Sequence, residues 1–395
     1  MYFQSIDDKH TCVGVYKDGR LFFEKMPSDL LRTWKYAGSH DNENIEYGWL
    51  YCDGKSLEQA CPEDLKSDFK RLHKKLHAFR KSFELAKINF REHCFFDLVP
   101  HDFLTEFLDV KTQITQHVFE NYEKPAHYEH LKKTEKLLYK IKYQNLNINN
   151  KDCKSLFLSS GLRSSAQKAL KCAPYIDYNL FGTVTGRLTT RSDSFPVLTL
   201  KKELRKLMKP NNDWFLSLDY NGAEIRTFLA LSGEQQPSED VHEWNMQNVF
   251  KKEEIYREEA KTMFFAWLYN PDSKAINSNF YDREKLFDTH YKDGRINTVF
   301  GRQIKTSDRK AVNYLIQSTT ADLVIDRAIE IDRFLRGKKS YISHIVHDEV
   351  VIDLDDSERN LVPDIKRIFS ENKLDKFMVN LNIGKNYFDL ERLNL

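Results

Sequence analysis

Two aspartates stand where apolar strands would carry none. Asp219 closes the run "WFLSLD", and Asp348 lies between "ISHIV" and "VVIDL" with Glu349 beside it. An ionised carboxylate against an apolar sheet is costly unless it is paired or bound to a metal. One such aspartate reads most simply as a salt bridge or a helix cap. Two, both at strand ends, suit a shared cation site, and hard oxygen ligands of this type favour Mg²⁺ or Mn²⁺. Two such ions can clamp the attacking and leaving oxygens of a phosphoryl transfer.

Other rows of residues fit the same chemistry. In "REEAKTMFFAWLY", Arg257, Lys261, Phe265 and Tyr269 recur every fourth residue and share one ridge of a helix. Two cations followed by two rings make a platform for phosphate oxygens and a stacked base. The same spacing also describes an amphipathic helix whose rings are core. Arg309, Asn313 and Gln317 are again four apart, a row that can meet a nucleic-acid backbone or minor groove, or simply face solvent.

The elements that must position these residues are legible in outline. "WFLSLDY" is a short strand, and "AEIRTFLALSG" a helix closed by Gly233. Residues 240–270 read as strongly helical, and "RINTVFGRQIK" as β structure. The pattern from Asp308 to Lys339 is one long helix, and "YISHIVHDEVVIDL" is a hairpin with the carboxylates near its turn. Upstream, residues 10–26 read as a hairpin about Lys17-Asp18-Gly19. Leu65, Phe69, Leu72, Leu76, Phe79 and Phe83 form one helical stripe, and helical pattern continues to about residue 143. "NLNINNKDCK" is a polar loop tip, residues 155–172 are helical, and "FPVLTLKKELRKLMKP" is a loop then a basic helix stopped by Pro210. Helices, then strand and helix, then helices and a hairpin give an α+β layout with an antiparallel sheet.

Composition excludes several classes. The chain has 395 residues and a net charge of +2, so global charge names no partner. Its basic residues cluster, however, in "KSDFKRLHKKLHAFRK", "LKKTEKLLYKIK" and "LKKELRKLMK". Each alone is a solvated helix face; three together suit a polyanion. The six cysteines have no C-x-x-C spacing, so neither a zinc site nor a disulfide framework is indicated, and they read as free thiols in a reducing compartment. No apolar run is long enough to span a membrane, and no signal peptide is visible.

At this point the residues resemble the A-family DNA polymerases of the bacterial polymerase I and phage type. "DYNGAEIR" (219–226) is similar to that family's first catalytic motif, and "REEAKTMFFAWLYN" (257–270) to its nucleotide-binding fingers helix. "HDE" (347–349) resembles its third motif, "TGRLTT" (185–190) its primer–template segment, and "RKAVNYLIQSTTAD" (309–322) the helix after the fingers. "DVH" (240–242) is similar to a short element ahead of the fingers helix. These come in family order over roughly residues 155–395.

The resemblance implies a right-hand polymerase fold with an antiparallel palm sheet, helical fingers and a helical thumb. Residues 1–64 would be a small β-containing region of unassigned role, 65–180 the thumb and supporting helices, 181–233 the first part of the palm, 234–308 reduced fingers, and 309–395 the second part of the palm. The implied activity is template-directed addition of deoxynucleotides to a primer 3′-hydroxyl by a magnesium-dependent nucleotidyltransferase. Asp219 and Asp348 would bind two Mg²⁺ ions, with Mn²⁺ as a substitute: one ion activates the primer hydroxyl and the other holds the triphosphate. Glu349 would support that centre. Arg257 and Lys261 would grip the triphosphate, and Lys261 could protonate the leaving pyrophosphate. Phe265 would pack on the sugar, Tyr269 would stack near the templating base, and Glu224 would crowd a ribose 2′-hydroxyl. His242 would touch the triphosphate. Arg187, Arg309, Asn313, Gln317 and His347 would contact primer–template DNA.

The chain departs from the family pattern at Asn221 and Gly222, at Asn270 in place of the usual glycine, and at Ser318. Residues 1–64 are too few for a 3′–5′ exonuclease, so no proofreading is expected. A monomer in the cytoplasm, that of a host if phage-encoded, completes the expectation. The rivals are a single-subunit RNA polymerase, against which Glu224 argues, and a reverse transcriptase, whose paired-aspartate motif is absent. A polymerase-like chain that only binds nucleic acid is the third.

Overall fold

A computed structural model describes residues 1–6, 13–90, 92–149, 159–250, 255–276 and 278–394. The first three residues of the expected N-terminal hairpin, Cys12, Cys153, the end of the polar tip (150–154) and residues 155–158 lie outside the described residues. The chain divides into two compact units, Met1–Tyr139 and Lys140–Leu395.

In the first unit, Val15–Lys17 and Arg20–Phe22 pair antiparallel, joined by Asp18 and Gly19 at positive φ. Both loop residues are of the kind that tolerates this turn. Gln4–Ser5 completes the small sheet. The apolar stripe becomes the helix Lys66–Leu85, packed on His101–Asn121. Phe69 and Leu72 are buried at its start, and Phe79 meets Phe103 further along.

The second unit is built on a five-stranded antiparallel sheet. Its strands are β1 (Trp214–Tyr220), β2 (Tyr341–Val346), β3 (Glu349–Leu354), β4 (Val379–Gly384) and β5 (Glu391–Arg392), in the order β2-β3-β1-β4-β5. The central strand β1 alternates as the period of two requires. Tyr220 stacks on Phe369 at 4.3 Å between centroids, so Leu216 and Leu218 share its helix-covered face. Phe215, Ser217 and Asp219 therefore point to the other side. The helices in the argument are α1 (Ala223–Ser232), α2 (Val241–Asn245), α3 (Arg257–Tyr269), α4 (Asp308–Phe334) and α5 (Val362–Ser370). α1 and α3 pack on α4 around a core that includes Phe228, Phe264, Trp267, Tyr281 and Leu315.

Two local expectations change. The stretch 240–270 is not one helix: α2 opens into a wider π-helical turn, Met246–Phe250, and α3 restarts after an extended Tyr256. A π turn advances the phase of the apolar face, which a 3.6-residue pattern does not register. The expected basic helix before Pro210 is only a 3₁₀ segment, Lys202–Leu207, leading into the strand Met208–Lys209. Its buried residues, Leu204 and Leu207, are three apart, the spacing that 3₁₀ geometry aligns. The four described free cysteines are Cys52, Cys61, Cys94 and Cys172. Among the described residues no helix is long and apolar enough to cross a membrane.

Candidate active site

Strands β2 and β3 join through His347 and Asp348 alone, since Val346 pairs with Glu349. His347 takes a positive φ of 55°, a strained backbone for a residue other than glycine. The strand behind the turn is held from outside the sheet. Around a bulge at Ile342/His344, the Tyr178 hydroxyl donates to the Ile345 carbonyl at 2.6 Å and accepts from the Ile345 N–H at 2.9 Å. The Glu349 carboxylate is anchored too: it accepts from the Ser217 hydroxyl at 2.5 Å and the Tyr387 hydroxyl at 2.6 Å.

This scaffold brings Asp219 and Asp348 to one cavity of about 370 Å³. Burial, then the Asp348 and Glu349 charges, push the Asp219 carboxyl up to about 8, against weaker opposing pulls from Asn380 and Lys261. Burial likewise raises Asp348, while His347, Arg187 and Lys261 act on it in the opposite sense. Two neighbouring carboxyls, both raised by burial and one of them also by the other's charge, make a site short of positive charge. Among the described residues no group of three or more His, Cys, Asp or Glu could hold a metal. Two carboxylates are nonetheless the donor set that suits a magnesium-like cation, which keeps waters and substrate phosphates as its other ligands.

The opposite wall of the cavity is α3. Arg257, Lys261, Phe265 and Tyr269 all line it, along with Glu224, His242, Arg187 and His347. Phe265 and Tyr269 stack at 5.7 Å. Glu224 is buried and fixed from two sides: Arg187 pairs with one oxygen, and the Tyr269 hydroxyl donates to the other at 2.8 Å. Burial raises the Glu224 carboxyl, and Arg187 and Tyr269 offset part of that. Burial, aided by Arg257, lowers the His242 imidazole to about 4, so it is neutral at pH 7. Among the described residues its buried Nδ1 has no hydrogen-bond partner.

The cavity does not gather every expected residue. Glu349 is absent from its lining and is occupied by Ser217 and Tyr387. Arg309 is exposed and pairs with Asp272 at 2.6 Å, and with Asn313 it lines a separate depression. Gln317 donates to Asn313 at 2.7 Å. Conversely, sequence reasoning missed Asp240, Asn380, Tyr178 and Tyr387. Asp240 begins the quoted "DVH" and precedes a helix, so its role as the cap of α2 was available as a signal. The other three carry no local mark.

No protein-family model matches the chain. DNA polymerase I of Chloroflexus aurantiacus is 23% identical over 275 residues, 55% of this chain and 29% of that protein. The thermostable DNA polymerases I of Thermus thermophilus and Thermus aquaticus are each 25% identical over 227 residues, 45% of this chain and 27% of theirs. The chain thus spans less than a third of the length of the curated relatives it matches. Among solved structures, the POL domain of Pol1 from M. smegmatis, in complex with DNA primer-template and dNTP, matches with a TM-score of 0.65 at 12% identity. That match covers 98% of this chain and 95% of the other. Over about half of its length the chain is similar in sequence to DNA polymerases I, and its fold is that of a polymerase domain.

Proposed function

We propose that the chain is a template-directed DNA polymerase that adds deoxynucleotides to a primer 3′-hydroxyl. The observation that carries this reading is that Asp219 and Asp348 line one cavity with the Arg257-Lys261-Phe265-Tyr269 ridge and Glu224. Polymerase I relatives and a polymerase-domain neighbour support it.

In the reaction, the primer hydroxyl gives up its proton to solvent, its oxygen forms a bond to the α-phosphorus of the nucleotide, and the bond to pyrophosphate breaks. Asp219 and Asp348 would hold magnesium, two ions with manganese as a substitute, which supplies positive charge at the reacting phosphate. Arg257 and Lys261 bind the triphosphate oxygens, and the Lys261 ammonium donates a proton to the departing pyrophosphate. The neutral His242 offers a hydrogen bond to the same anion. Phe265 packs on the sugar and Tyr269 supports the new base pair. Arg187 and Tyr269 hold the Glu224 carboxylate where it would crowd a 2′-hydroxyl, which selects deoxynucleotides. Arg187 and His347 sit at the primer end, and Glu349 stiffens the turn behind Asp348. Arg309, Asn313 and Gln317, outside the cavity, are assigned to the duplex. On this reading 181–233 and 309–395 are palm, 234–308 fingers and 65–180 thumb.

Single-nucleotide primer extension with dNTP against rNTP tests the reading. Extension with a strong preference for dNTP is expected. Equal use of both would favour an RNA polymerase, and no extension would favour a binding protein.

A further inference from the structure

Asn221 stands where the family motif usually carries serine, and both polar atoms of its carboxamide are engaged. Its Oδ1 accepts from the Val241 N–H at 2.8 Å and from Arg226 Nη2 at 3.1 Å. Its Nδ2 donates to Asp240 Oδ2 at 2.7 Å. A single hydroxyl cannot offer a donor and an acceptor from two separate atoms in this way. Asp240 in turn divides its oxygens. Oδ1 caps α2, accepting from the His242 and Glu243 N–H groups at 2.9 and 3.2 Å. Oδ2 is shared between Asn221 and Arg257, whose Nη2 and Nε approach to 2.8 and 3.2 Å.

The chain of contacts therefore runs from the residue two places after Asp219 to the first cation of α3. Gly222 makes the approach possible: it sits at φ 68°, and a Cβ there would come within 2.4 Å of Val241 Cγ1. Arg226, fully buried, braces the other end by donating to the backbone carbonyls of Asn221, Pro237 and Glu239 at 2.7 to 2.8 Å. Burial would raise the Asp240 carboxyl, but Arg257, Asn221 and the Glu243 N–H outweigh it and hold it well below the usual range. Asp240 is thus a fixed anion, held at Oδ1 by the α2 N–H groups and at Oδ2 by Asn221 and Arg257.

We infer that Asn221 is a positioning residue for triphosphate binding: it holds the Asp240 carboxylate, and through it aims the Arg257 guanidinium into the cavity. This rests on the polymerase reading only in taking the anion to be the triphosphate of a dNTP. A departure from the family motif then becomes a device that ties the strand carrying Asp219 to the helix carrying the nucleotide-binding cations.

Two readouts on the full chain test this. In single-nucleotide extension, Asn221→Ala raises KM for dNTP about tenfold, equal to about 1.4 kcal/mol, with a smaller change in kcat. Calorimetric titration with inorganic tripolyphosphate shows a weakening of the same order and does not require extension. Asn221→Asp keeps the acceptor for Val241 and Arg226 but loses the donor to Asp240, so it is impaired at least as much. A purely structural role would lower the melting temperature of these variants but leave the tripolyphosphate affinity of the folded protein unchanged, which would overturn the inference. In a cycle with Arg257→Lys, the double variant weakens binding by clearly less than the product of the single effects, because both act through one guanidinium. Should Asn221→Ala melt below assay temperature, Asn221→Ser takes its place in the same cycle. A wild type that binds tripolyphosphate but does not extend a primer overturns the proposed function while leaving this inference standing. Effects that multiply independently, an Asn221→Asp variant like wild type, or no tripolyphosphate binding by wild type overturns the inference.

Discussion

Replacing Asp219 with asparagine should stabilise the metal-free protein while removing its activity. The carboxyl ordinarily titrates near 3.8 but is pushed up to about 8 by burial and by Asp348 and Glu349. Between those values the folded chain retains a proton that the unfolded chain has released. Stability therefore falls as pH rises through that window, by at most about 1.4 kcal/mol per pH unit. From pH 4 to 7 the ceiling is about 4 kcal/mol, but the group is half-buried and coupled to a second carboxyl. We therefore expect about 1–2 kcal/mol of stabilisation for Asp219→Asn at pH 7, after discounting for solvent screening. For a unit of this size that is a rise of about 2–4 °C in Tm. Thermal melts in EDTA at pH 5, 6, 7 and 8 measure it. The gap between variant and wild type should widen with pH and level off near 8, and magnesium should raise the Tm of the wild type more than that of the variant. A variant no more stable than wild type at pH 7 and 8, or a gap independent of pH, would refute the charge-repulsion argument.

Three further outcomes are expected. Glu224→Ala opens the space beside the sugar and strips Arg187 and Tyr269 of their partner, so the preference for dNTP over rNTP in single-nucleotide extension falls by about tenfold or more; an unchanged ratio would show that Glu224 does not guard the sugar. Phe265→Tyr adds a hydroxyl there and should raise use of dideoxynucleotides about tenfold, the worth of one hydrogen bond; no shift would place Phe265 elsewhere. Tyr178→Phe leaves the Ile345 N–H and carbonyl without their phenol partner beneath the His347-Asp348 turn. It should cost about 2 kcal/mol in denaturant melts and lower kcat; full stability and activity would mean the bulge is held by other contacts.

The outline of the candidate site was readable because its residues announce themselves locally. Asp219 and Asp348 interrupt apolar strands, and Arg257, Lys261, Phe265 and Tyr269 keep a helical period, so chemistry and periodicity agreed. Gly233 ends α1 in a left-handed cap, as its position after an apolar run implied. What escaped depends on contacts distant in sequence. Tyr178 reaches Ile345 across 167 positions, and Tyr387 reaches Glu349 across 38, and neither pairing leaves a trace in local pattern. The break within 240–270 escaped because the π turn at Met246–Phe250 keeps an apolar face while shifting its phase. Arg309 and Asn313 satisfied a spacing rule that cannot say which neighbour the helix face meets; here that neighbour includes Asp272.

Primer extension on a singly primed template with magnesium, wild type against Asp348→Ala, bears most directly on the central claim. The two-carboxylate account predicts that wild type extends the primer. It predicts that Asp348→Ala loses extension by about a thousandfold, the scale of losing a key electrostatic group, while still binding primer–template DNA. Comparable extension by Asp348→Ala, or no extension by wild type, would contradict it.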